Sequence, residues 1–221
     1  MMGRTHAVLG LVGGLGMAEA LGMRPGATLA FASLVAGASL LPDLDEPHSA
    51  VSHTVEPITT GVSWLVARSS GGHRKASHSL IAGAATIGVV ELCSQIEIAR
   101  HITLLGVVMG FILASLFRVL RGHRLTVAEI LAVFGVALAI NYFLVPTAVW
   151  WPLVAIGLGY GLHLAEDWIT MGGVPVLWPW KHRFEFAICG QTDSRREHTM
   201  RIVAIGGGFI LAITPIIQLW R

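Results

Sequence analysis

The sequence is poor in charged residues and in cysteine, and each shortage excludes a class of protein. Only 13% of the 221 residues are charged, whereas 54% are hydrophobic and the mean hydropathy is +0.69. An ordinary soluble domain has about 25% charged residues, so the composition is that of an integral membrane protein. Cys93 and Cys189 are far apart and form no CxxC, which argues against a disulfide framework and a thiolate metal site. The net charge of +2 comes without a long basic run, so we expect no nucleic-acid partner.

In place of charge, the chain has a series of apolar runs. A hydrocarbon layer about 30 Å thick needs roughly 20 apolar residues per helix, which leaves room here for about six to eight helices. We expect an all-α integral membrane protein with seven transmembrane helices in a single domain, residues 1–221. The expected spans are 7–22, 27–41, 80–98, 102–120, 126–145, 149–165 and 202–219.

Two further segments complete this picture. Residues 58–67 are apolar but too short to cross a bilayer, which indicates a re-entrant or interfacial segment. Residues 171–200 are polar and are expected to form a cytoplasmic loop before the last span. The first two spans are rich in Gly and Ala, a composition typical of helices that pack closely.

Lysine and arginine are distributed unevenly between the two sides of this arrangement. With a cytoplasmic N-terminus, all of them except Arg24, Arg100 and Arg221 lie on the cytoplasmic side. We therefore expect a multi-pass protein of the cytoplasmic (inner) membrane, with membrane lipids as its neighbours. The same topology brings distant polar residues to the cytoplasmic face: His6, Asp43, Asp45, His48, His53, His73, His78, His163 and Asp167.

The end of the sixth span has the spacing of a metal-binding pair. His163 and Asp167 are four residues apart, so on a helix both side chains project from one face. Thr170 continues that face and is placed to support a ligand or a substrate oxygen. The alternative is a His and an Asp that only hydrogen bond to each other at a helix end, and for an isolated HxxxD the two interpretations are about equally plausible.

Two carboxylates follow the second span directly. Pro42 is expected to end the helix, which leaves Asp43 and Asp45 at the membrane surface, able to bind or bridge a divalent cation. A solvated acidic turn is the alternative. His48 and His53 lie in the same loop and rank below this pair as ligands.

Residues 73–79, HRKASHS, form a polar heptad in an otherwise apolar chain. His73 and His78 are the candidate metal ligands. Ser77 is a candidate N-cap for the helix that follows.

The cations of the heptad have a competing interpretation as membrane anchors. We favour anchoring for Lys75, whereas Arg74 is the candidate anion-binding residue, because its planar guanidinium donates paired hydrogen bonds to phosphate or carboxylate. Ser79, at the end of the heptad, is a candidate to support a ligand.

These short motifs support one another because they are predicted to lie at the same membrane face. Four separate segments, including the one with His6, each bring His or Asp to one membrane face. Mixed nitrogen and oxygen ligands are those that zinc, manganese and iron sites in hydrolases use. We therefore predict one or two divalent ions, zinc first and manganese, iron or magnesium next, held by His6, Asp43, Asp45, His73, His78, His163 and Asp167.

At these residues the sequence resembles the LexA-regulated, YdjM-like family of membrane-bound metal-dependent hydrolases. The resemblance rests on four elements: His6, residues 41–45 (LPDLD), the heptad 73–79, and residues 161–167 (GLHLAED) through Thr170 and Gly172. Lys75 and Ser77 depart from the family's usual Gly and Thr, and the presumed ligands are intact. The family is distantly similar to zinc-dependent phospholipases C.

The resemblance implies a hydrolase whose metal activates water for attack on a lipid-like phosphodiester or ester at the cytoplasmic face. Asp45 and Asp167 are candidate catalytic carboxylates, either of which, or Asp43, can serve as general base. Arg74 is the third candidate catalytic residue. Two alternatives stay open: a metal or ion transporter, and a non-catalytic membrane protein whose polar cluster is structural.

Overall fold

A computed structural model of the chain describes residues 1–145 and 150–219. Its helices begin with Gly3–Ala20 (α1), Pro25–Ala38 (α2) and Ile58–Ser70 (α3). They continue with Leu80–Ser94 (α4), Leu104–Arg121 (α5), Val127–Leu144 (α6), Trp150–Trp168 (α7) and Arg195–Leu219 (α8). Short 3₁₀ turns occupy Pro42–Asp45, Val51–His53 and Ala76–His78.

The helical prediction is largely confirmed, with one small exception. Each of the seven expected spans contains a helix, and so does the short apolar segment 58–67. Val149, the first residue of the expected sixth span, lies outside the described residues. The end of the expected third span is not helical, because Glu97–Ala99 (β1) pairs antiparallel with Ile102–Thr103 (β2). The fold is therefore nearly all-α.

Four helical segments in the described part of the chain are long and apolar enough to cross a membrane. They are Pro25–Asp45, Leu104–Arg121, Val127–Leu144 and Arg195–Ile217. Helix α4 is apolar but has only 15 residues, and α3 has 13. Helix length and composition thus directly support four of the seven expected spans.

Helix α2 lies at the centre of the fold. It packs against α1, α5, α7 and α8, and Phe31, Leu34 and Val35 are fully buried. A helix that is apolar all round is expected to be buried on all sides, which explains why the composition of α2 suits this position.

Small residues allow the central helices to approach closely, as the Gly and Ala content predicted. A Cβ added at Gly14 of α1 would lie 2.7 Å from the Cα of Ala32 in α2. A Cβ at Gly159 of α7 would overlap the backbone oxygen of Val35. Glycine at these two positions therefore brings α1 and α7 against α2.

Seven helix ends meet at one end of the bundle. They are the N-terminal ends of α1, α4, α6 and α8 and the C-terminal ends of α2, α5 and α7. Three hydrogen bonds connect some of them: His163 to Ser39 between α7 and the end of α2, Arg4 to Val119 between α1 and α5, and Met2 to Glu197 between the start of the chain and α8. The candidate functional residues lie at this end.

Candidate metal centre

Two imidazole rings face each other, and the Nε2 atom of each ring lies next to the Nε2 atom of the other. Nε2 of His163, in the last turns of α7, lies 3.1 Å from Nε2 of His78, in the 3₁₀ turn before α4. Both side chains are fully buried. The backbone conformations of α7 and of this turn bring together two residues that are 85 positions apart.

The other nitrogen of each ring is already bound. His163 Nδ1 is 2.7 Å from the carbonyl oxygen of Ser39, which can only accept, so this Nδ1 carries the hydrogen. His78 Nδ1 is 3.2 Å from a carboxylate oxygen of Asp45. The Ser77 hydroxyl lies at the same distance from His78 Nδ1. With the hydrogen of each neutral ring on Nδ1, both rings present the lone pair of Nε2 to each other, an arrangement that a cation between them would stabilise.

Two carboxylates complete the surroundings of these nitrogens. Asp167 Oδ2 is 3.5 Å from His163 Nε2 and 3.6 Å from His78 Nε2. Asp43 Oδ1 is 3.7 Å and 4.0 Å from the same two atoms. Asp167 Oδ2 is buried without a hydrogen-bond partner among the described residues, which is costly for a carboxylate unless a cation neutralises it.

Three of these atoms, on His78, His163 and Asp167, lie close enough together to hold one ion. A zinc ion with ligands at about 2.0–2.1 Å separates neighbouring ligand atoms by about 3.3 Å. The separations among these three atoms run from 3.1 Å to 3.6 Å, and Asp43 Oδ1 lies within 4.0 Å of both nitrogens. Two nitrogens and two oxygens suit zinc, and also manganese or iron.

Asp43 belongs to two further groups with metal-ligand spacing. Ligand atoms of His6, Asp43 and His163 lie within 4.8 Å of one another, and so do those of Asp43, His73 and His78. The sequence prediction of His6, Asp43, His73, His78, His163 and Asp167 as neighbours therefore matches the geometry.

Asp45 has a different place from the one predicted. The sequence made it a metal ligand and a catalytic carboxylate, but both of its oxygens bind protein donors. Oδ1 is 2.7 Å from His73 Nδ1, whereas Oδ2 accepts from the Arg74 backbone at 3.1 Å and from the Ser77 hydroxyl. With the contact to His78, Asp45 orients both histidines of the heptad from behind.

Arg74 is also engaged within the protein. Its Nη2 donates to Asp167 Oδ1 at 2.6 Å, and its Nη1 lies 3.4 Å from the Thr170 hydroxyl. The Arg74 guanidinium, which is predicted to bind a substrate anion, thus binds and neutralises Oδ1 of Asp167. Met1 N also lies 2.7 Å from that oxygen, which leaves Oδ2 to face the histidines.

The two supporting hydroxyls predicted from sequence differ in position. Thr170 is fully buried and lies beside Arg74, next to the cluster. Ser79 caps α4 by accepting from the Ala82 backbone, and it donates to the Ala76 carbonyl. Ser79 is therefore the N-cap that we had predicted Ser77 to be, because the Ser77 hydroxyl binds Asp45 instead.

The two heptad histidines have opposite pKa shifts. Burial lowers the pKa of His73, but the hydrogen bond and charge of Asp45 outweigh burial and raise it above the ordinary value. For His78, deeper burial together with the neighbouring His163 outweighs Asp45 and lowers the pKa. The neutral form that a metal ligand needs is therefore favoured at His78.

The sequence analysis did not single out Glu166, whose side chain is buried beside the cluster. Its Oε2 is 2.5 Å from His6 Nδ1, and the His6 ring stacks on the His163 ring with centroids 3.9 Å apart. Glu166 lies three residues after His163, so the helical spacing that singled out Asp167 applied to it as well. Ser39 was also missed, since only the packing of α7 on α2 brings its carbonyl to His163.

The fold and the cluster define a class: a helical membrane protein with a buried histidine and carboxylate site at one end of its helices. The family model described as YdjM inner membrane protein matches residues 1–117 and residues 108–219. The chain therefore belongs to the YdjM inner membrane protein family, which confirms the resemblance to YdjM and the inner-membrane assignment.

Two curated relatives carry the name inner membrane protein YdjM, one from Escherichia coli (strain K12) and one from Shigella flexneri. Each is 41% identical to this chain over 70 residues. That stretch is 30% of this chain and 35% of the relative, so the match spans about a third of the relatives' length. No solved structure matches the chain.

Proposed function

We propose that this protein is a metal-dependent hydrolase of the inner membrane, with its metal centre at the cytoplasmic face. The observation that carries the proposal is the pair of facing Nε2 atoms of His78 and His163, 3.1 Å apart, each ring held from behind at Nδ1. When both rings carry their hydrogen on Nδ1, the two Nε2 lone pairs converge, and a cation between them would bind both.

His78, His163, Asp43 and Asp167 would hold the first ion, and zinc is the first candidate. Either His6 with Asp43 and His163, or His73 with Asp43 and His78, would form a second site. When bound, such an ion supplies Lewis acidity, which polarises an ester or phosphoryl oxygen and makes water acidic.

The protein's own side chains divide the remaining work. Asp45 and Glu166 orient imidazoles, and Arg74 neutralises Asp167. Asp43 has 16% of its side chain exposed, the most of the four first-ion ligands, so we assign the carboxylate oxygen that it does not give to the ion as the base that takes a proton from water at the mouth of the site.

The topology that we propose has seven spans, with α3 at the membrane interface and the N-terminus in the cytoplasm. The alternation of N-terminal and C-terminal ends at the cluster supports an up-and-down order for α1, α2 and α4 to α8. Arginines at that end, including Arg118 and Arg121, agree with the positive-inside rule.

This position favours a lipid-like phosphodiester or ester as substrate. A site built at the ends of membrane-spanning helices opens at headgroup level, where such bonds lie. The resemblance to phospholipases C points to the same substrate class.

No described contact favours transport. Asn141 is buried in α6, but its amide binds Thr103, with Oδ1 3.0 Å from the backbone nitrogen and Nδ2 3.2 Å from the hydroxyl. Glu91 and Gln95 pair with each other at 2.9 Å in an exposed position. These polar groups of the spans are hydrogen bonded within the protein, whereas the candidate ligands lie together at one end of the helices.

The test is the metal content of purified protein, measured by elemental analysis without chelators. We expect one or two equivalents of zinc or another transition metal in the wild type, and a loss of about tenfold or more in His163→Gln and His78→Gln. His101→Gln, which changes an exposed histidine of the β1–β2 hairpin, serves as the matched control. A metal-free wild type, or variants that keep the full metal content, would contradict the proposal and favour a structural cluster.

A further inference from the structure

A cleft with basic walls lies beside the metal centre. Its volume is about 670 Å³, within the range of small-molecule sites. The start of α1, the end of α5, the connection to α6 and the loop before α3 form its walls. Its charged and titratable lining residues are Arg4, Asp43, His48, Arg118, His123 and Arg124.

Two of these arginines form no ion pair with a carboxylate in the described structure, although the charge of Glu56 acts on Arg118 at longer range. Arg4 donates through Nε to the Val119 carbonyl at 3.2 Å, and Arg118 donates through Nη1 to the His53 carbonyl at 2.6 Å. Within the described part of the chain, neither comes within 4 Å of a carboxylate. The carbonyl contacts fix each guanidinium in place and leave its remaining N–H groups to an anion.

The other charges around the cleft are balanced in part. Arg124 lies 3.8 Å from Glu56, and Arg121, next to the cleft, pairs with Glu129 at 2.9 Å. Asp43 is the acidic residue in the lining. The surplus positive charge therefore belongs to Arg4 and Arg118.

Asp43 connects the cleft to the metal centre. It lines the cleft, and its Oδ1 lies 3.7 Å from His163 Nε2. A molecule in the cleft is therefore in contact with a residue of the candidate ligand set.

An apolar groove lies near the cleft and shares one lining residue with it, Val51. The groove lies between α3 and α5, has a volume of about 180 Å³, and is also lined by Leu41, Leu44, Ile58, Val62 and Phe111. A basic cleft next to an apolar groove suits a molecule that has an anionic group at one end and a hydrocarbon chain at the other.

We propose that this cleft binds the phosphate group of the substrate, with Arg4 and Arg118 as the anion-binding residues in the role that the sequence had given to Arg74. The phosphate can belong to a phospholipid headgroup or to a soluble phosphate ester. The assignment of the bound molecule as substrate rests on the proposed function, whereas the phosphate binding itself does not.

The experiment measures binding to detergent-purified, zinc-loaded protein by titration calorimetry. One arm uses dihexanoyl phosphatidic acid and the other uses inorganic phosphate. We expect Arg4→Gln and Arg118→Gln each to weaken binding about tenfold, because each removes a charge-assisted hydrogen bond of about 1.5 kcal/mol. Arg100→Gln, an exposed arginine of the β1–β2 hairpin, is the matched control.

The two arms separate the sources of the phosphate. Tighter binding of the lipid with the same arginine dependence identifies a headgroup and supports use of the apolar groove, whereas equal binding identifies the phosphate group alone. Either result supports the cleft. No binding of either probe to the wild type, or binding that both arginine variants leave unchanged, would overturn it.

Two further measurements keep the test decisive. Arg124→Gln changes an exposed residue at the rim, is expected to fold normally, and should weaken binding about threefold by reducing the local charge. His163→Gln removes a metal ligand and leaves the cleft residues intact. Arginine-dependent binding that persists in metal-free protein would sustain the cleft even if the hydrolase proposal failed.

Discussion

The imidazole of His6 and the carboxylate of Glu166 are joined by a hydrogen bond of 2.5 Å across 160 residues. Glu166 holds the ring at Nδ1, so that His6 Nε2 points toward Asp167 Oδ1 at 3.6 Å and has no hydrogen-bond partner in the described structure. Asp45 holds His73 in the same way, with 2.7 Å between Oδ1 and Nδ1. The site therefore has two imidazoles oriented by carboxylates behind them.

Glu166→Gln tests this orientation of His6. The amide keeps the size of the side chain but loses the charge, so we expect metal affinity to fall by about 10- to 100-fold with the fold retained. Competition with a chromogenic chelator measures the affinity. Glu19→Gln, an exposed position at the other end of α1, is the control, and equal affinities in the two variants would remove Glu166 from the site.

Asp45→Asn separates an orienting residue from a ligand. An amide cannot accept hydrogen bonds on both of its heteroatoms, so either His73 on one side, or Arg74 and Ser77 on the other, lose their acceptor. We expect the free energy of unfolding to fall by about 1–3 kcal/mol.

Asp43→Asn is the matched comparison. Its carboxylate faces the histidine nitrogens, so we expect loss of metal with little loss of stability. Chemical denaturation in detergent and metal analysis on both variants give the two quantities. If Asp45→Asn were as stable as the wild type, its assignment as the organising carboxylate would be wrong.

Gly159→Ala tests the close packing of α7 on α2. Its Cβ would overlap the Val35 carbonyl oxygen, a backbone atom that cannot move aside cheaply. We expect destabilisation of about 1–3 kcal/mol, seen as a lower thermal midpoint. Gly161→Ala, two residues further along the same helix with open space around it, should be neutral or slightly stabilising.

Cysteine labelling tests the proposed topology. In a chain with Cys93 and Cys189 changed to alanine, Lys75→Cys is placed at the metal-centre end and Arg24→Cys at the opposite end, both exposed. A membrane-impermeant maleimide added to intact spheroplasts should label the Arg24 position, and the Lys75 position only after lysis. The reverse pattern would place the metal centre outside the cytoplasm.

Much of the site could be predicted from the sequence alone. Polar residues in an apolar chain are costly, so His6, Asp43, the heptad and the pair His163 and Asp167 were visible as exceptions to the composition. The positive-inside rule then placed them on one face without any knowledge of helix packing.

What the sequence determined by itself was the class of protein, the helical segments and the residue types of the site. Only the tertiary structure decided the role of each residue, because role depends on which atom faces which. Asp43 and Asp45 are two positions apart in one turn, yet one faces the Nε2 atoms and the other takes Nδ1 from behind. The same holds for Arg74 and Arg118, whose contacts come from packing between segments far apart in the chain. Arg74 is bound to a carboxylate, whereas Arg118 donates to a backbone carbonyl.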